Sequence, residues 1–399
     1  MKKIIVLALL SIFYTITFAQ KFEGLALTPP MGWNSWNNFG CNVDEKLIRA
    51  IADSMVASGM KSAGYQYVVI DDCWHGERDS LGFIHPNKER FPSGMKALGD
   101  YIHSKGLKFG IYSCAGNKTC GGHPGSRGYE YQDALTYAQW GVDFLKYDWC
   151  NTAGINAPAA YTTMRDALFA TGRPIVFSLC EWGENKPWEW AKEIGHLWRT
   201  TGDITHCFDC QEDHGTWSSW GIMKTLEMRK DIRRFAGPGH WNDPDMMEVG
   251  NGMSVQEDRA HFSLWSIVAA PLIAGNDIRT MSKETKEILT NSDVIAVDQD
   301  SLGVQGFRYS NDGDVEVWIK PLSCGDWAVC FLNRSEKSVK FEFDWAKHTI
   351  YDDLSKTSID NKIVYQVRDL WKHKSIGDTK KKIVTDLSSH DVLMVRLMK

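Results

Sequence analysis

From about residue 30 to about residue 275, short apolar runs alternate with longer segments of helical spacing. The runs are rich in β-branched and aromatic residues and end in polar ones, which favours buried strands. Eight such runs are predicted as strands, at residues 31–36, 65–73, 108–113, 144–148, 175–180, 197–203, 240–246 and 262–270. Helices are predicted at residues 45–59, 95–105, 131–140, 161–170 and 221–235. Eight alternating units in about 250 residues predict an α/β fold, the (β/α)8 TIM barrel.

After residue 303 the pattern changes to short segments in which apolar and polar residues alternate. These segments, separated by Asn, Asp, Gly and Ser, lie at residues 314–321, 327–333, 338–344, 362–368 and 392–397. They predict a C-terminal antiparallel β-sandwich domain at 303–399, following a barrel domain at 20–302. Acid and base residues do not cluster in the C-terminal segments, so we expect the chemistry in the barrel.

The first nineteen residues have the layout of a secretory signal peptide, with two lysines, an apolar stretch and small residues before Gln20. The stretch is too short for a lasting membrane anchor. We therefore expect an exported protein, periplasmic or secreted, with a retained N-terminal anchor as the lesser alternative. The formal net charge of −5, with mixed signs throughout, is typical of neither a nucleic-acid binder nor a membrane-binding protein. The expected partner is an uncharged molecule, and the sequence does not indicate an oligomeric state.

Ten cysteines in an exported chain favour disulfides. Cys207 and Cys210 form a Cys-x-x-Cys, for which a local disulfide is favoured over zinc because no second pair completes four ligands. Cys324 and Cys330 flank a predicted turn, so a hairpin disulfide and two unbonded cysteines both stay open. No metal or cofactor is expected.

Polar side chains end most of the predicted barrel strands. In a TIM barrel the carboxyl ends of the strands form one rim, which carries the active site. The strand-end residues are Trp36, Asp71, Asp72, Tyr112, Lys146, Asp148, Cys180, Arg199, Asp203, Asp243 and Asp245. A single Asp is often a turn former, but six clusters on one rim are harder to explain as turns. Two of them, Asp148 and Asp203, supply the pair of carboxyls that a glycosidase uses.

Five motifs surround these strand ends. They are Met31-Gly-Trp-Asn-Ser-Trp36, Ile70-Asp-Asp-Cys-Trp74, Lys146-Tyr-Asp-Trp-Cys150, Cys180-Glu-Trp-Gly183 and Trp241-Asn-Asp-Pro-Asp-Met246. With these motifs the chain resembles glycoside hydrolase family 27, the α-galactosidases and α-N-acetylgalactosaminidases, from about residue 25 to residue 300. The resemblance implies a retaining mechanism in which Asp148 is the nucleophile and Asp203 the general acid/base. Lys146 lies two residues before Asp148 on the same strand, so its charge should favour the ionised nucleophile.

The resemblance also implies a galactose site. Asp71 and Asp72 would hold the axial 4-hydroxyl and the 6-hydroxyl, so glucosides should be poor substrates. The other sugar-binding residues implied by the resemblance are Trp36 at C6, Lys146 at the 3- and 4-hydroxyls, Cys180, Trp182 and Arg199 at the 2-hydroxyl, and Tyr112, Cys120 and Asp245. Disulfides implied in the same way join Cys41 to Cys73 and Cys120 to Cys150. Cys114 departs from the Asp of many relatives and stays unassigned.

Four other functions would require different residues at these positions. Relatives that prefer β-L-arabinopyranosides carry a longer Glu where this chain has Asp72, which leaves room for the hydroxymethyl group. Relatives that accept N-acetylgalactosamine carry small residues after the fifth strand, whereas Cys180 and Trp182 resemble the plant α-galactosidases. A non-catalytic sugar-binding protein would require loss of Asp148 or Asp203. A metal-dependent hydrolase would need histidines that the first strand lacks.

Overall fold

A computed structural model describes residues 21–228, 231–311, 313–360 and 362–399. The predicted signal peptide at 1–19 lies outside these ranges. Within them, every helix is too short or too polar to cross a lipid bilayer.

The strands of the described residues are β1 (Met31–Asn34), β2 (Tyr67–Ile70), β3 (His75–Arg78), β4 (Ile84–Pro86), β5 (Lys108–Cys114), β6 (Phe144–Asp148), β7 (Val176–Cys180), β8 (Leu197–Arg199), β9 (Gln211–Asp213), β10 (Ser218–Trp220), β11 (Trp241–Asp243), β12 (Leu272–Ala274), β13 (Phe307–Ser310), β14 (Val315–Pro321), β15 (Trp327–Asn333), β16 (Val339–Phe343), β17 (Ile350–Asp352), β18 (Thr357–Ile359), β19 (Gln366–Asp369), β20 (Lys374–Asp378), β21 (Ile383–Leu387) and β22 (Val392–Met398). The α-helices are α1 (Trp36–Phe39), α2 (Glu45–Ala57), α3 (Met60–Ala63), α4 (Gly94–Ser104), α5 (Glu130–Trp140), α6 (Ala157–Ala170), α7 (Ile222–Met228), α8 (Val255–Ile267), α9 (Lys283–Leu289) and α10 (Ser292–Asp298). Short 3-10 helices are Pro187–Glu189, Ala191–Glu193, Arg233–Phe235, Ser323–Gly325 and Trp345–Lys347.

The predicted (β/α)8 barrel is confirmed. Eight parallel strands are hydrogen-bonded in the order β11-β8-β7-β6-β5-β2-β1-β12. The ring closes just after β11, where the Met247 N–H donates to the Ile273 carbonyl at 2.7 Å and the Met247 carbonyl accepts from the Gly275 N–H at 3.0 Å. Because all eight strands are parallel, their carboxyl ends meet on one rim.

The helices between the strands pack one apolar face against the barrel. In α2 the side chain of Asp44 caps the helix by accepting from the Leu47 N–H at 2.7 Å, and the buried residues Leu47, Ile48, Ile51 and Met55 recur at helical spacing. The predicted helix at 221–235 contains α7 and the 3-10 helix Arg233–Phe235 instead of one continuous element.

The prediction of the eighth strand at residues 262–270 is wrong. Most of this segment lies in α8, and the eighth strand is β12. Ser254 and Glu257 start α8 with a capping box, in which each side chain bonds the other residue's backbone N–H. Residues 260–267 are all buried, because α8 lies between the barrel and the C-terminal sheet. A helix that is buried on every side has no polar stripe and resembles a buried strand in sequence.

The C-terminal region forms the predicted antiparallel domain. Its main sheet has six strands in the order β13-β14-β15-β22-β19-β20, and the pairs β16–β21 and β17–β18 lie beside it. Alternate residues of β15 lie in two different hydrophobic cores. Val329 and Phe331 pack within the C-terminal domain, whereas Cys330 and Leu332 belong to the core that includes the barrel. The sequence did not predict β13, β17, β18, β20 and β21, which are three to five residues long. The domain limits at residues 302 and 303 stay a prediction.

Candidate active site

The two candidate catalytic carboxyls lie at the same rim but in different environments. Asp148 ends β6 and is 5% exposed, whereas the side chain of Asp203, four residues beyond the end of β8, is 39% exposed. They are close enough for the charge of Asp203 to raise the pKa of Asp148. The rim therefore pairs one enclosed carboxyl with one that opens to solvent.

Burial and the neighbouring Asp203 raise the pKa of Asp148 to about 7, although the charge of Lys146 acts in the opposite direction. The effect of Lys146 is the one expected from the sequence, but burial outweighs it. Near neutral pH, Asp148 is therefore partly protonated in the free protein. One of its oxygens, Oδ1, accepts from the Trp149 N–H at 2.8 Å, which holds the carboxyl in position.

Lys146 is held among carboxylates. Its Nζ lies 2.8 Å from Oδ2 of Asp71, and both side chains are nearly buried. Burial disfavours the charge of Lys146, but Asp71, Asp148 and Asp245 together keep its pKa well above the ordinary value. Oδ2 of Asp71 also accepts from the side-chain amide of Asn34 at 2.7 Å. Asn34 was not among the predicted site residues, although it lies in the first motif.

Asp72 points in a different direction from Asp71. Its Oδ1 accepts from the Cys73 N–H and its Oδ2 from the Gly121 N–H, both at 2.7 Å. Burial raises the pKa of Asp72, against the effect of these backbone donors. The Gly121 loop leaves little free space, because a Cβ at that glycine would lie 3.0 Å from Oδ2 of Asp72. Asp72 is therefore held from two sides.

Arg199 links Asp203 to the barrel. Its Nη2 lies 2.7 Å from Oδ2 of Asp245 and 3.1 Å from Oδ1 of Asp203, and it also donates to the Gly202 carbonyl at 2.8 Å. Its Nη1 lies 3.6 Å from the sulfur of Cys180. Burial raises the pKa of Asp245 to about 6 despite the opposing charge of Arg199. Asp245 has φ of 101°, a left-handed conformation that is rare for a non-glycine residue and common at functional sites.

Aromatic residues border these charges. The Tyr112 hydroxyl donates to the sulfur of Cys120 at 3.2 Å, and Nζ of Lys146 lies 5.4 Å from the centre of the Tyr112 ring. Trp36 begins α1 and Trp182 follows β7, and both are half-buried. Trp182 has φ of 57°, so the turn after Cys180 holds its backbone in a strained conformation.

Disulfides join the predicted pairs Cys41–Cys73 and Cys120–Cys150, and the local bridge Cys207–Cys210 is also present. The Cys120–Cys150 bridge ties the loop after β5 to the residues that follow Asp148. Of the two open alternatives for Cys324 and Cys330, the structure has the unbonded one. Cys114 is unbonded and buried, and its thiol donates to the Cys150 carbonyl at 3.1 Å.

The described donors do not suit a metal ion. Two groups of three potential ligands lie within 4.8 Å of one another: Asp72 with Cys73 and His123, and Asp148 with Cys120 and Cys150. Each group depends on cysteines in disulfides, which offer no thiolate.

The barrel interior beneath the rim is almost filled. A cavity of about 30 Å³ is lined there by Asn34, Lys146, Cys180, Arg199 and Asp245, among others. A larger cavity of about 570 Å³ lies between the barrel and the C-terminal domain, but none of the predicted site residues lines it. The carboxyl pairs, the lysine and the arginine meet at the rim, so we place the candidate site there.

Known proteins resemble this chain along nearly its whole length. The sequence profile described as Alpha galactosidase A matches residues 28–300, and that of the Alpha galactosidase C-terminal beta sandwich domain matches residues 312–397. Alpha-galactosidase A of Cellvibrio japonicus is 59% identical over 380 residues, which cover 95% of this chain and 94% of that protein. The crystal structure of alpha-galactosidase I from Mortierella vinacea has a TM-score of 0.88 and 41% identity, covering 94% of this chain and 98% of the other. The Saccharomyces cerevisiae α-galactosidase with raffinose has a TM-score of 0.86 and 32% identity, covering 94% and 98%.

The barrel, its acidic rim and these relatives together define a glycoside hydrolase. The Alpha galactosidase A profile spans more than half of the chain, and the Cellvibrio japonicus protein is matched almost end to end. The chain therefore belongs to the α-galactosidase family, glycoside hydrolase family 27.

Proposed function

We propose that this protein is a retaining exo-α-galactosidase that hydrolyses terminal α-D-galactosyl residues of oligo- or polysaccharides. The observation that carries the proposal is the contrast between its two carboxyls. Asp148 is enclosed beside Lys146, where it can meet an anomeric carbon, and Asp203 opens to solvent, where it can exchange protons. The family relationship supports the same activity.

The proposed reaction has two displacements. Asp148 attacks the anomeric carbon while Asp203 gives its proton to the departing glycosidic oxygen, and a covalent galactosyl-enzyme forms. This step removes the negative charge of Asp148, so Asp203 can then accept a proton from water. The water attacks the anomeric carbon, releases galactose and restores the Asp148 carboxylate. Arg199, 3.1 Å from Asp203, orients the proton donor throughout.

We assign galactose recognition to the charged side chains of the rim that can hydrogen-bond to sugar hydroxyls. Asp71 and Asp72 would accept from the 4- and 6-hydroxyls, and Lys146 would donate to the 3- and 4-hydroxyls. The carboxyl of Asp72 is short and is held by the Gly121 N–H, which supports the proposal that the hydroxymethyl group of galactose has room. The remaining sugar contacts are assigned to Trp36, Tyr112, Cys120, Cys180, Trp182, Arg199 and Asp245.

The domain arrangement and destination are proposed with the function. Residues 20–302 would carry the reaction and residues 303–399 would pack against α8 without taking part in the chemistry. Three disulfides are consistent with export, to the periplasm or the medium, after removal of residues 1–19.

The first test compares initial rates on p-nitrophenyl α-galactoside, β-L-arabinopyranoside and α-N-acetylgalactosaminide. A dominant α-galactoside rate, unaffected by excess EDTA, is expected. Loss of activity in EDTA would instead favour a metal-dependent hydrolase. A higher rate on either other sugar would overturn the specificity assigned to Asp72 or Trp182, and inactivity on all three would favour a sugar-binding protein.

A second test separates the two carboxyls. Asp148→Gly should be inactive but recover with azide to give β-galactosyl azide, because azide enters the space left by the nucleophile. Asp203→Gly should instead keep most of its rate of enzyme glycosylation with α-galactosyl fluoride, whose leaving group needs little protonation. Asp100→Asn, at an exposed carboxylate outside the rim, is the matched control. If Asp203→Gly instead recovers with azide as β-galactosyl azide, and Asp148→Gly keeps its rate of glycosylation, Asp203 is the nucleophile and Asp148 the general acid/base.

A further inference from the structure

The chain between β8 and α7 forms a hairpin beside the proposed proton donor. Strands β9 and β10 pair antiparallel, and residues 214–217 form the loop between them. The hairpin is bonded to the backbone of the donor itself, because the Trp220 N–H donates to the Asp203 carbonyl at 2.9 Å. Gly202 lies against the same strand, where a Cβ would be 3.5 Å from the Ser218 carbonyl oxygen. The strand that follows residue 217 therefore lies directly at the site.

The base of this hairpin is firmly held. The Cys207–Cys210 disulfide closes the turn before β9, and the Gly221 N–H after β10 donates to the Cys210 carbonyl at 2.9 Å. Phe208, inside that turn, stacks on His390 of the C-terminal domain with ring centres 4.0 Å apart. Covalent and tertiary contacts thus fix the position of the hairpin relative to Asp203.

Trp217 is the unusual residue of the hairpin. All seventeen tryptophans of the chain fall within the described residues, and Trp217 alone among them is exposed, at 51%. Its ring stacks on His214 with centres 4.0 Å apart and planes 27° apart. The His214 ring in turn lies 2.9 Å from the Ser219 hydroxyl, and the His214 N–H donates to the Trp217 carbonyl. The indole is therefore supported on one face and open to solvent.

An open, supported indole on a hairpin that is bonded to the proton donor suits a particular ligand. A single exposed apolar side chain is common, but this indole is stacked on His214 in a hairpin that is bonded to the proposed proton donor, so its open face can serve as a binding surface. The proton of Asp203 goes to the glycosidic oxygen, so the leaving sugar must lie on the Asp203 side of the scissile bond. The flat apolar face of a pyranose can cover the indole there while its hydroxyls remain in water.

We propose that Trp217, supported by His214, is a binding platform for the pyranose on the leaving side of the bond, in an oligosaccharide or a polysaccharide. The inference rests on the proposed function, because it requires Asp203 to face the leaving group. The platform would contribute to binding only when the leaving group is a sugar. It would distinguish galactosylated oligosaccharides from small galactosides without changing recognition of galactose itself.

The test compares two substrates that share galactose and differ in the leaving group: an α-1,6-galactosyl mannooligosaccharide and α-galactosyl fluoride. In Trp217→Ala, the ratio of kcat/KM for the oligosaccharide to kcat/KM for the fluoride should fall about tenfold, equivalent to about 1.4 kcal/mol. Trp217→Phe, which keeps a flat ring, should lose less than threefold of this ratio. Tyr351→Ala removes an equally exposed aromatic from the hairpin β17–β18 of the C-terminal domain and should leave the ratio unchanged.

The outcomes separate this inference from the proposed function. An unchanged ratio in Trp217→Ala, with wild-type activity on both substrates, overturns the platform and leaves the proposed function intact. A wild-type protein that hydrolyses neither substrate overturns the proposed function and the platform with it. If Trp217→Ala folds poorly, the Trp217→Phe ratio decides, since a loss as large as tenfold would contradict a stacking role.

Discussion

Replacing Lys146 with Met should move the acid side of the pH–rate profile. In the wild-type structure the charge of Lys146 lowers the pKa of Asp148 against the effect of burial, with a net value of about 7. Loss of a nearby opposite charge typically changes a carboxyl pKa by about 1–3 units. The pKa of Asp148 in Lys146→Met should therefore rise to roughly 8–10. Because the ionised form of Asp148 is the proposed nucleophile, the smaller ionised fraction should by itself lower kcat/KM at pH 6 by a factor of about 10–1000.

The assay is kcat/KM for α-galactosyl fluoride between pH 4 and pH 10, because kcat/KM reports groups of the free enzyme. Lys146→Met also leaves Asp71 buried without its cation, so a stability loss of about 3–5 kcal/mol is expected in urea unfolding. That loss lowers the height of the profile but does not move its limb. Lys146→Arg keeps the charge and should hold the limb near its wild-type position.

Lys96→Met is the matched control, since Lys96 pairs with Asp100 at the exposed surface and its removal should cost no more than about 0.5 kcal/mol. A folded Lys146→Met protein whose acid limb stays at the wild-type pH would refute the argument that this charge sets the ionisation of Asp148. A limb that moved to lower pH would contradict its sign.

Three further predictions concern the same rim. Because burial raises the folded-state pKa of Asp148 from 3.8 to about 7, its stability contribution is present below pH 3.8 and lost as pH rises through 7. In urea unfolding, the free energy of unfolding of Asp148→Asn should therefore rise relative to that of the wild type between pH 4 and pH 8, by up to about 4 kcal/mol. The same pH dependence in both proteins would contradict this. Asp72→Glu would press the carboxyl, already bonded to the Gly121 N–H, toward the sugar, so the ratio of α-galactoside to β-L-arabinopyranoside kcat/KM should fall at least tenfold. Replacing Cys120 and Cys150 together by Ser should lower the free energy of unfolding by about 3–4 kcal/mol, as expected for a 30-residue loop, and an unchanged unfolding midpoint would count against this.

Much of the fold was predictable because it depends on local pattern. Short apolar runs followed by helical spacing identified seven barrel strands, since each strand is buried and each helix has one polar face. The prediction of the eighth strand was wrong because α8 is covered by the barrel on one side and by the C-terminal sheet on the other. Its apolar run therefore reflects contacts with β14, β15 and β22, which are distant in sequence.

The candidate site shows a similar division. The two-residue spacing of Lys146 and Asp148 on β6 places them on the same side of the strand, and this is readable from the sequence. The ion pair of Lys146 with Asp71 joins residues 75 positions apart, and Asn34 completes it from a third strand. Such partners become neighbours only when the barrel closes.

By itself the sequence determined the order of the first seven barrel strands, the family motifs and which residue types end those strands, because these depend on neighbouring positions. Tertiary structure decided the net pKa of Asp148, the unequal exposure of Asp148 and Asp203, and the support of the exposed Trp217 by its hairpin. The physical reason is that desolvation and charge–charge interactions depend on distance in space. Those distances exist only after segments far apart in the chain have packed together.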